Sequence, residues 1–299
     1  MATSICCMFR HIVHNLSLKS KLLHLKLFSM ASEFSATGKQ FVCQKDRYNG
    51  ITVETAEITF SDVEFEEILK ASLSEWMNNG IRGVWFHVPR SKASYIPILV
   101  NHGFEFHHAK ASYLMLTKWL LSSEPNLLPQ YPHTHIGVGG LVVNDKNEVL
   151  VIQEKYGAKA HWKFPGGYAN PGEDIADTAK REVLEETGIE TEFVELVLFR
   201  HHHKHIFDCS DIYFVCHMKP VGGCIKKCTN EIAECCWMDI NDFQSHSDDV
   251  SHMNQFVMKC FLEIQKNEAS IAITPVLSFA KTHYQNVYNI IWKQKSKNE

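Results

Sequence analysis

Apolar and polar positions change period several times along the chain, and those changes predict its elements. Residues 62–77 place Phe65, Ile68, Leu69, Leu73 and Trp76 on one arc of a helix, with Asp62 as the cap that starts it. Residues 51–58 and 81–88 flank that helix and are rich in β-branched and aromatic side chains, so each predicts a strand. Residues 94–102 predict a short helix ended by Gly103, and residues 104–119 hold one or two further strands. Residues 122–133 carry Pro125, Pro129 and Pro132, three of the nine prolines, and predict an interdomain linker.

Beyond the linker, residues 135–143 predict a strand, 144–147 a hairpin turn and 148–153 the return strand. Gly137, Gly139 and Gly140 look like a dinucleotide-binding run, but a strand follows where that motif needs a helix. Strands are also predicted around residues 193–199 and 212–218. Residues 234–239 lead toward a last helix, whose periodicity covers 253–264.

Between these elements lies the stretch with the sharpest chemistry. Its glycines and Pro171 predict a loop, followed by a helix over residues 174–187 that Gly188 ends. At about 100° per residue, Glu182, Glu185 and Glu186 share an arc of roughly 100°. Ala176, Ala179 and Val183 take the neighbouring arc, which should be buried. Like charges at this spacing oppose one another by ~0.2–0.5 kcal/mol per pair when exposed, and by more when desolvated. A cation should therefore compensate them. Arg181 offers part of this, since Asp177 and Glu185 stand four residues to either side of it. Oxygen ligands without His or Cys suit Mg²⁺ or Mn²⁺. For any two of these glutamates alone, a solvated acidic face is the competing explanation.

Composition narrows the picture only a little. The 299 residues allow two domains, and 45% hydrophobic with 21% charged residues is ordinary for a globular protein. A net charge of −4 argues against nucleic acid as partner, and no run of roughly 18 apolar residues predicts a membrane span. Ten cysteines without regular spacing fit a reducing compartment. Before Glu33 there is no acid, while Arg10, Lys19, Lys21 and Lys26 stand among apolar and Ser residues. Residues 1–32 thus have the composition of a mitochondrial presequence. A disordered tail, or an extension upstream of a start at Met30 that leaves the product cytoplasmic or also nuclear, is the competing reading. His201, His202, His203 and His205 would be split between two faces of a strand, and the adjacent Cys235 and Cys236 point oppositely, so neither they nor Cys224 and Cys228 predict a shared metal.

Gly167, five residues, Glu173, seven residues, Arg181-Glu182-Val183, one residue, Glu185-Glu186, one residue and Gly188-Ile189 match the Nudix box without departure. The chain therefore resembles the Nudix hydrolases, and its surroundings sharpen the likeness: Trp162 to Gly167, Phe199-Arg200, Ser210 to Tyr213 and Glu234 to Asp239 resemble an animal and plant branch of that family over residues 48–290. The resemblance implies an α/β (α+β) fold, a Nudix α/β/α sandwich with a mixed sheet behind a small acetyltransferase-like α/β domain. No Gly-rich acyl-coenzyme A loop lies within residues 82–103, so acetyl transfer is not expected. The implied organisation is an extension over 1–40, the first domain over 41–121, the linker over 122–133, the Nudix domain over 134–275 and a tail over 276–299.

The resemblance also implies roles. Glu182, Glu185 and Glu186 would hold Mg²⁺ or Mn²⁺, Glu173 and Arg181 would brace the loop and helix, and Gly166 and Gly167 would admit the pyrophosphate close to the backbone. Glu231, six residues before Trp237, is the candidate fourth ligand or general base. The catalytic set is then Arg181, Glu185, Glu186 and Glu231, with substrate on Gly166, Gly167 and Glu173. The implied reaction is metal-dependent hydrolysis of a nucleoside diphosphate linked to another group. The plant members put ADP-ribose first and NADH second, although the extended motif and zinc site of dedicated NADH pyrophosphatases are absent. The partner is a small nucleotide, with a homodimer left open. The contrasting readings are a regulatory binding protein that keeps this fold without turnover, and acyl transfer by the first domain.

Overall fold

Each of the two patterned regions closes on its own core in the computed structural model, which describes residues 40–156, 161–245, 249–266, 269–277 and 284–292. The chain divides into two units between Pro132 and His133. Residues 1–32, and with them the expected presequence and Met30, lie outside the described residues. None of the described helices is long and apolar enough to cross a membrane.

The first unit is a five-stranded sheet in the order β1-β2-β3-β5-β4. Its elements run β1 (Cys43–Lys45), β2 (Ile51–Glu54), α1 (Asp62–Asn78), β3 (Gly83–Pro89), α2 (Tyr95–Asn101), β4 (Glu105–Lys110) and β5 (Tyr113–Trp119). Strands β2 and β3 are parallel, and α1 makes the crossover that such a pair requires. As the pattern predicts, Phe65, Leu69, Leu73 and Trp76 are buried, and the Phe65 ring stacks on Tyr95 with centroids 4.0 Å apart. The cap is Ser61 rather than Asp62. Its hydroxyl accepts from Glu64 N at 3.3 Å while the Glu64 carboxylate accepts from Ser61 N at 2.9 Å, so two N–H groups of the helix start are satisfied reciprocally.

The strand expected over residues 51–58 stops at Glu54. Thr55 turns the chain, accepting from Ile58 N at 3.2 Å and donating its hydroxyl to His87 O at 3.0 Å. The proline-rich segment also departs from expectation, because it docks on the first unit instead of swinging free. Arg82 pairs with Glu124 at 2.8 Å, His107 Nε2 lies 2.8 Å from Pro129 O, and the Tyr131 ring stacks on His108 at 5.0 Å. Prolines remove ladder donors but leave carbonyls and flanking side chains free to dock.

The second unit contains β6 (Thr134–Val142), β7 (Glu148–Glu154), β8 (Gly166–Tyr168), α3 (Ile175–Thr187), β9 (Ile189–His202), β10 (Ser210–Gly223), β11 (Ile232–Asp239), α4 (Ile240–Ser245), α5 (His252–Lys266), β12 (Ala269–Leu277) and β13 (Tyr284–Trp292). Six strands form a mixed sheet in the order β13-β12-β9-β10-β6-β8, and β7 pairs with β11 alone. The expected hairpin of β6 and β7 is therefore not a paired one. Asn144 to Asn147 do turn, with Asn144 N on Glu148 O at 3.0 Å, but both edges of β6 are taken by β10 and β8. Beyond that turn, a single bridge between Val143 and Val149 joins the two arms among the described residues.

Helix α3 packs Ala179 and Val183 on one face of the sheet, against Val138, Val142, Leu196 and Met218. On the other face Leu141, Val197 and Val215 meet Val257, Met258 and Phe261 of α5, which completes the α/β/α sandwich. Packing accounts for the glycines of β6. A Cβ on Gly140 would stand 2.4 Å from Val183, and one on Gly139 would stand 2.1 Å from Tyr213 Oη. The tail expected from residue 276 is instead sheet: β12 runs to Leu277, β13 pairs with it antiparallel, and β12 joins β9 at Ile271 and Leu196.

Candidate active site

The box folds as strand, loop and helix for local reasons. Strand β8 lies antiparallel to β6, and a Cβ on Gly166 would be 2.2 Å from Val138 O, so only glycine allows that approach. A Cβ on Gly167 would sit 2.7 Å from the Glu182 carboxylate, so its absence lets the helix bring that carboxylate up to the strand. Asp174 starts α3, and Gly188 ends it at φ 76°, donating to Leu184 O.

Arg181 ties these parts together. Its Nε and Nη2 grip both oxygens of Glu173 at 2.7 and 2.9 Å, and Nη2 also reaches Tyr168 O at 3.0 Å. Its Nη1 donates to Glu182 at 2.6 Å and Glu185 at 3.1 Å. The pairing with Asp177 expected from helical spacing is absent; the Asp177 ion pair is with Lys180, at 4.0 Å. A planar guanidinium satisfies a carboxylate best two bonds at a time, and the loop places Glu173 for that. Arg181 holds the Glu173 carboxyl down to about 2, well below the carboxylate range. Every guanidinium nitrogen is engaged, so Arg181 and Glu173 position the loop and helix, and Glu173 itself has both oxygens committed.

The three glutamates are not alike. Glu185 leaves its side chain 60% exposed. Glu182 is 14% exposed; burial pushes its carboxyl up, Arg181 pulls it down, and Glu185 and Glu173 push it up again. Glu186 is buried and accepts from Gly166 N at 2.8 Å, without an ion pair among the described residues. Burial above all pushes its carboxyl up to about 7; the Gly166 N–H and Lys163 oppose this, while Glu182 and Glu154 add to it. As the side chains stand, no three His, Cys, Asp or Glu groups among the described residues are gathered closely enough to hold a metal ion. Arg181 accounts for this at Glu182 and Glu185, and the Gly166 N–H at Glu186.

Glu231 is exposed just before β11. Its backbone oxygen accepts from Lys155 N at 2.9 Å. The histidine run does not form one cluster either: His203 meets Ser210 Oγ at 3.0 Å, and His205 meets Tyr168 Oη at 3.0 Å. Cys224, Cys228, Cys235 and Cys236 are all free thiols. Tyr213 is a neighbour that sequence reasoning gave no role. It lies across Gly137 and Gly139, with the Arg200 guanidinium 5.5 Å from its ring centre. Burial first, then Glu186, pushes its phenol up. Three glycine positions opposite one strand were the available signal.

Family models describe both units: "NUDIX domain" matches residues 133–260 and "Nudix hydrolase domain" residues 41–120. Nudix hydrolase 8 of Arabidopsis thaliana is 41% identical over 66% of this chain and 54% of its own. Nudix hydrolase 2 of the same plant is 40% identical over 67% of this chain and 72% of its own. The human protein called nucleoside diphosphate-linked moiety X motif 6 is 39% identical over 66% of this chain and 64% of its own. This chain thus spans between about half and about three quarters of these relatives. An unbroken box on the strand, loop and helix it requires, two family models and identity at this level make one conclusion: the chain belongs to the Nudix hydrolase family.

Proposed function

We propose that the chain hydrolyses the pyrophosphate bond of a nucleoside diphosphate linked to a second group, with the help of a divalent cation, and that ADP-ribose is its first substrate and NADH its second. The observation that carries this reading is Glu186, a buried carboxylate held by one backbone N–H, one helical turn from the largely buried Glu182. Burying an acid without a cation costs several kcal/mol by order of magnitude, so a fold that does so invites one. The donor set fits Mg²⁺ or Mn²⁺: all oxygens, two of them on successive turns, with the exposed Glu185 held beside them by Arg181 at 3.1 Å. Glu182, Glu185 and Glu186 would hold the cation, which supplies positive charge against the polyanionic diphosphate. ADP-ribose and NADH come from the likeness to plant members of the family.

The chain's own groups then have distinct tasks. Gly166 and Gly167 let β6 and the Glu182 carboxylate close on the strand where the diphosphate would lie, and the Arg181–Glu173 fork fixes the loop beside it. Water attacks one phosphorus, the bridging P–O bond breaks, and the leaving phosphate keeps the electron pair. The water's proton needs an acceptor. Glu186, with its carboxyl near 7, and the exposed Glu231 are the candidates. Glu231→Gln is expected to lower kcat with little change in KM, and an unchanged kcat returns Glu231 to the surface.

A screen with Mg²⁺ across ADP-ribose, NADH, NAD⁺, coenzyme A, dinucleoside polyphosphates and oxidised nucleotides tests the whole reading. Release of AMP from ADP-ribose that chelation abolishes is the expected result. Turnover of none of these by the wild-type chain would sink it and favour a binding protein.

A further inference from the structure

A diphosphate seated at Glu182 and Glu186 leaves the attached nucleoside looking for a surface within one sugar's length. Tyr168 is the next residue after Gly167, whose Cβ position lies 2.7 Å from the Glu182 carboxylate. It ends β8, and the residue is 44% exposed. Three contacts fix it. Its carbonyl accepts from Arg181 at 3.0 Å, its hydroxyl lies 3.0 Å from His205 Nε2, and the His135 ring supports it at 5.5 Å. An aromatic side chain held at backbone, hydroxyl and one face, yet open to solvent, is preorganised to take a ligand on its free face.

The row beside it is polar. Tyr168 is paired with Gly137, Gly137 with Tyr213, and Tyr213 with Arg200, so these positions share one face of the sheet. In the next row His135 is paired with Asp211, which accepts from Arg200 Nη2 at 3.0 Å. Two nitrogens of this patch, His135 Nε2 and Arg200 Nε, are buried and have no hydrogen-bond partner among the described residues. Unpartnered buried nitrogens are uncommon because each costs free energy; here one belongs to the His135 ring that packs on Tyr168, and the other to Arg200 beside Tyr213 on the same face.

We propose that Tyr168 is the stacking platform for the nucleobase of the substrate, pinned by His205 and His135 and placed beside the diphosphate by the Arg181 brace. The inference rests on the proposed seat of the diphosphate. Every base has a π-face, so such a platform gives affinity for nucleosides as a class.

Titration calorimetry on the full chain in Mg²⁺ buffer, with ADP, GDP and inorganic pyrophosphate as probes, tests it. The wild type should bind ADP and GDP more tightly than pyrophosphate. Tyr168→Leu keeps an apolar cover on His135 but removes the π-face. It should weaken ADP and GDP on the order of tenfold or more and leave pyrophosphate within about twofold. Tyr168→Phe keeps the face and loses only the hydroxyl pin, so a loss of about threefold or less is expected. The inference is overturned if Tyr168→Leu binds ADP like the wild type, or if ADP and pyrophosphate weaken together, which is the mark of a merely structural side chain. If pyrophosphate binds but ADP binds no better, the platform alone falls. Binding of neither probe overturns the platform and the proposed diphosphate seat together.

Discussion

The two units are both sheets covered by helices, yet they treat charge in opposite ways. In the first unit the polar side chains that become buried are Thr55, Ser72 and Thr117, and its acids stay at the surface. Glu64 serves a helix cap there, and Glu66 meets Lys70 and His102. In the second unit Glu186, Glu195 and Asp211 are all buried. Asp211 is matched by Arg200 at 3.0 Å, and Glu195 by His217 at 3.3 Å and Gln265 at 2.8 Å. Glu186 has the Gly166 N–H. A hydroxyl can be buried cheaply by donating to a carbonyl, whereas a carboxylate cannot. The difference points to chemistry in the second unit, at the buried acid whose hydrogen bond among the described residues comes from a backbone N–H and not from a side chain.

The largest effect expected is at that acid. Glu186→Gln keeps an oxygen for the Gly166 N–H but loses the charge, and should lower kcat on ADP-ribose by ~100-fold or more, about 3 kcal/mol in the barrier. Glu185→Gln should do the same although Glu185 is exposed, because its proposed task is ligation. Near-normal turnover in either variant would remove the metal role. Arg181→Ala comes next. It strands Glu173 and Glu182, both largely buried, and should destabilise the second unit by about 3 kcal/mol, read as a fall in the denaturation midpoint. A fall no larger than that of an exposed Lys180→Ala would show that the brace is dispensable.

What the sequence showed and what it hid divide along the range of the interactions. Helices α1 and α3 were legible because periodicity and caps are local. Ser61 and Glu64 even spell a capping box, although Asp62 was the residue expected to cap. Strand ends were not legible, because partners set them: residues 51–58 alternate well, but pairing ends where Thr55 turns. The turn at Asn144 was visible, while the parting of β6 and β7 into different sheets depends on β8 and β10. The box was read in full, and of the partners that helical spacing offered Arg181, Glu185 is met while Asp177 is not; Glu173 came only from the family likeness. Glu173 lies eight residues away around a loop, outside any helical spacing. Tyr213 became visible only once β10 lay beside the glycines of β6.

A smaller effect is expected in the pH dependence of stability. The Glu186 carboxyl is raised from 4.5 to about 7 in the folded chain. Between those values the unfolded chain has lost this proton and the folded one keeps it, so stability falls as pH rises through the window, by a few kcal/mol at most, and levels off above about 7. Glu186→Gln should flatten that slope and be the more stable protein at pH about 8. Glu173 works the other way and elsewhere: its carboxyl is lowered to about 2 by Arg181, so its contribution is full above 4.5 and is lost as pH falls below it. Paired urea titrations across the range separate the two. An equal slope in wild type and Glu186→Gln between pH about 5 and 7 would mean that Glu186 is solvated.

The smallest effect belongs to the first unit and sharpens the comparison. Glu66 also has a shifted carboxyl, lowered chiefly by its bond to Lys70 and then by His102. Both it and Lys70 are well exposed, with side chains 43% and 58% accessible, so water and salt screen the pair. A lowered carboxyl contributes above its ordinary value and loses that contribution as pH falls, so Glu66 has no part in the window assigned to Glu186. Glu66→Gln should therefore leave the urea midpoint at neutral pH within error, leave the slope between pH about 5 and 7 unchanged, and leave ADP-ribose turnover alone. A midpoint shift as large as that of Glu186→Gln would show that exposed and buried acids matter alike in this molecule, and the contrast between its units would lose its meaning.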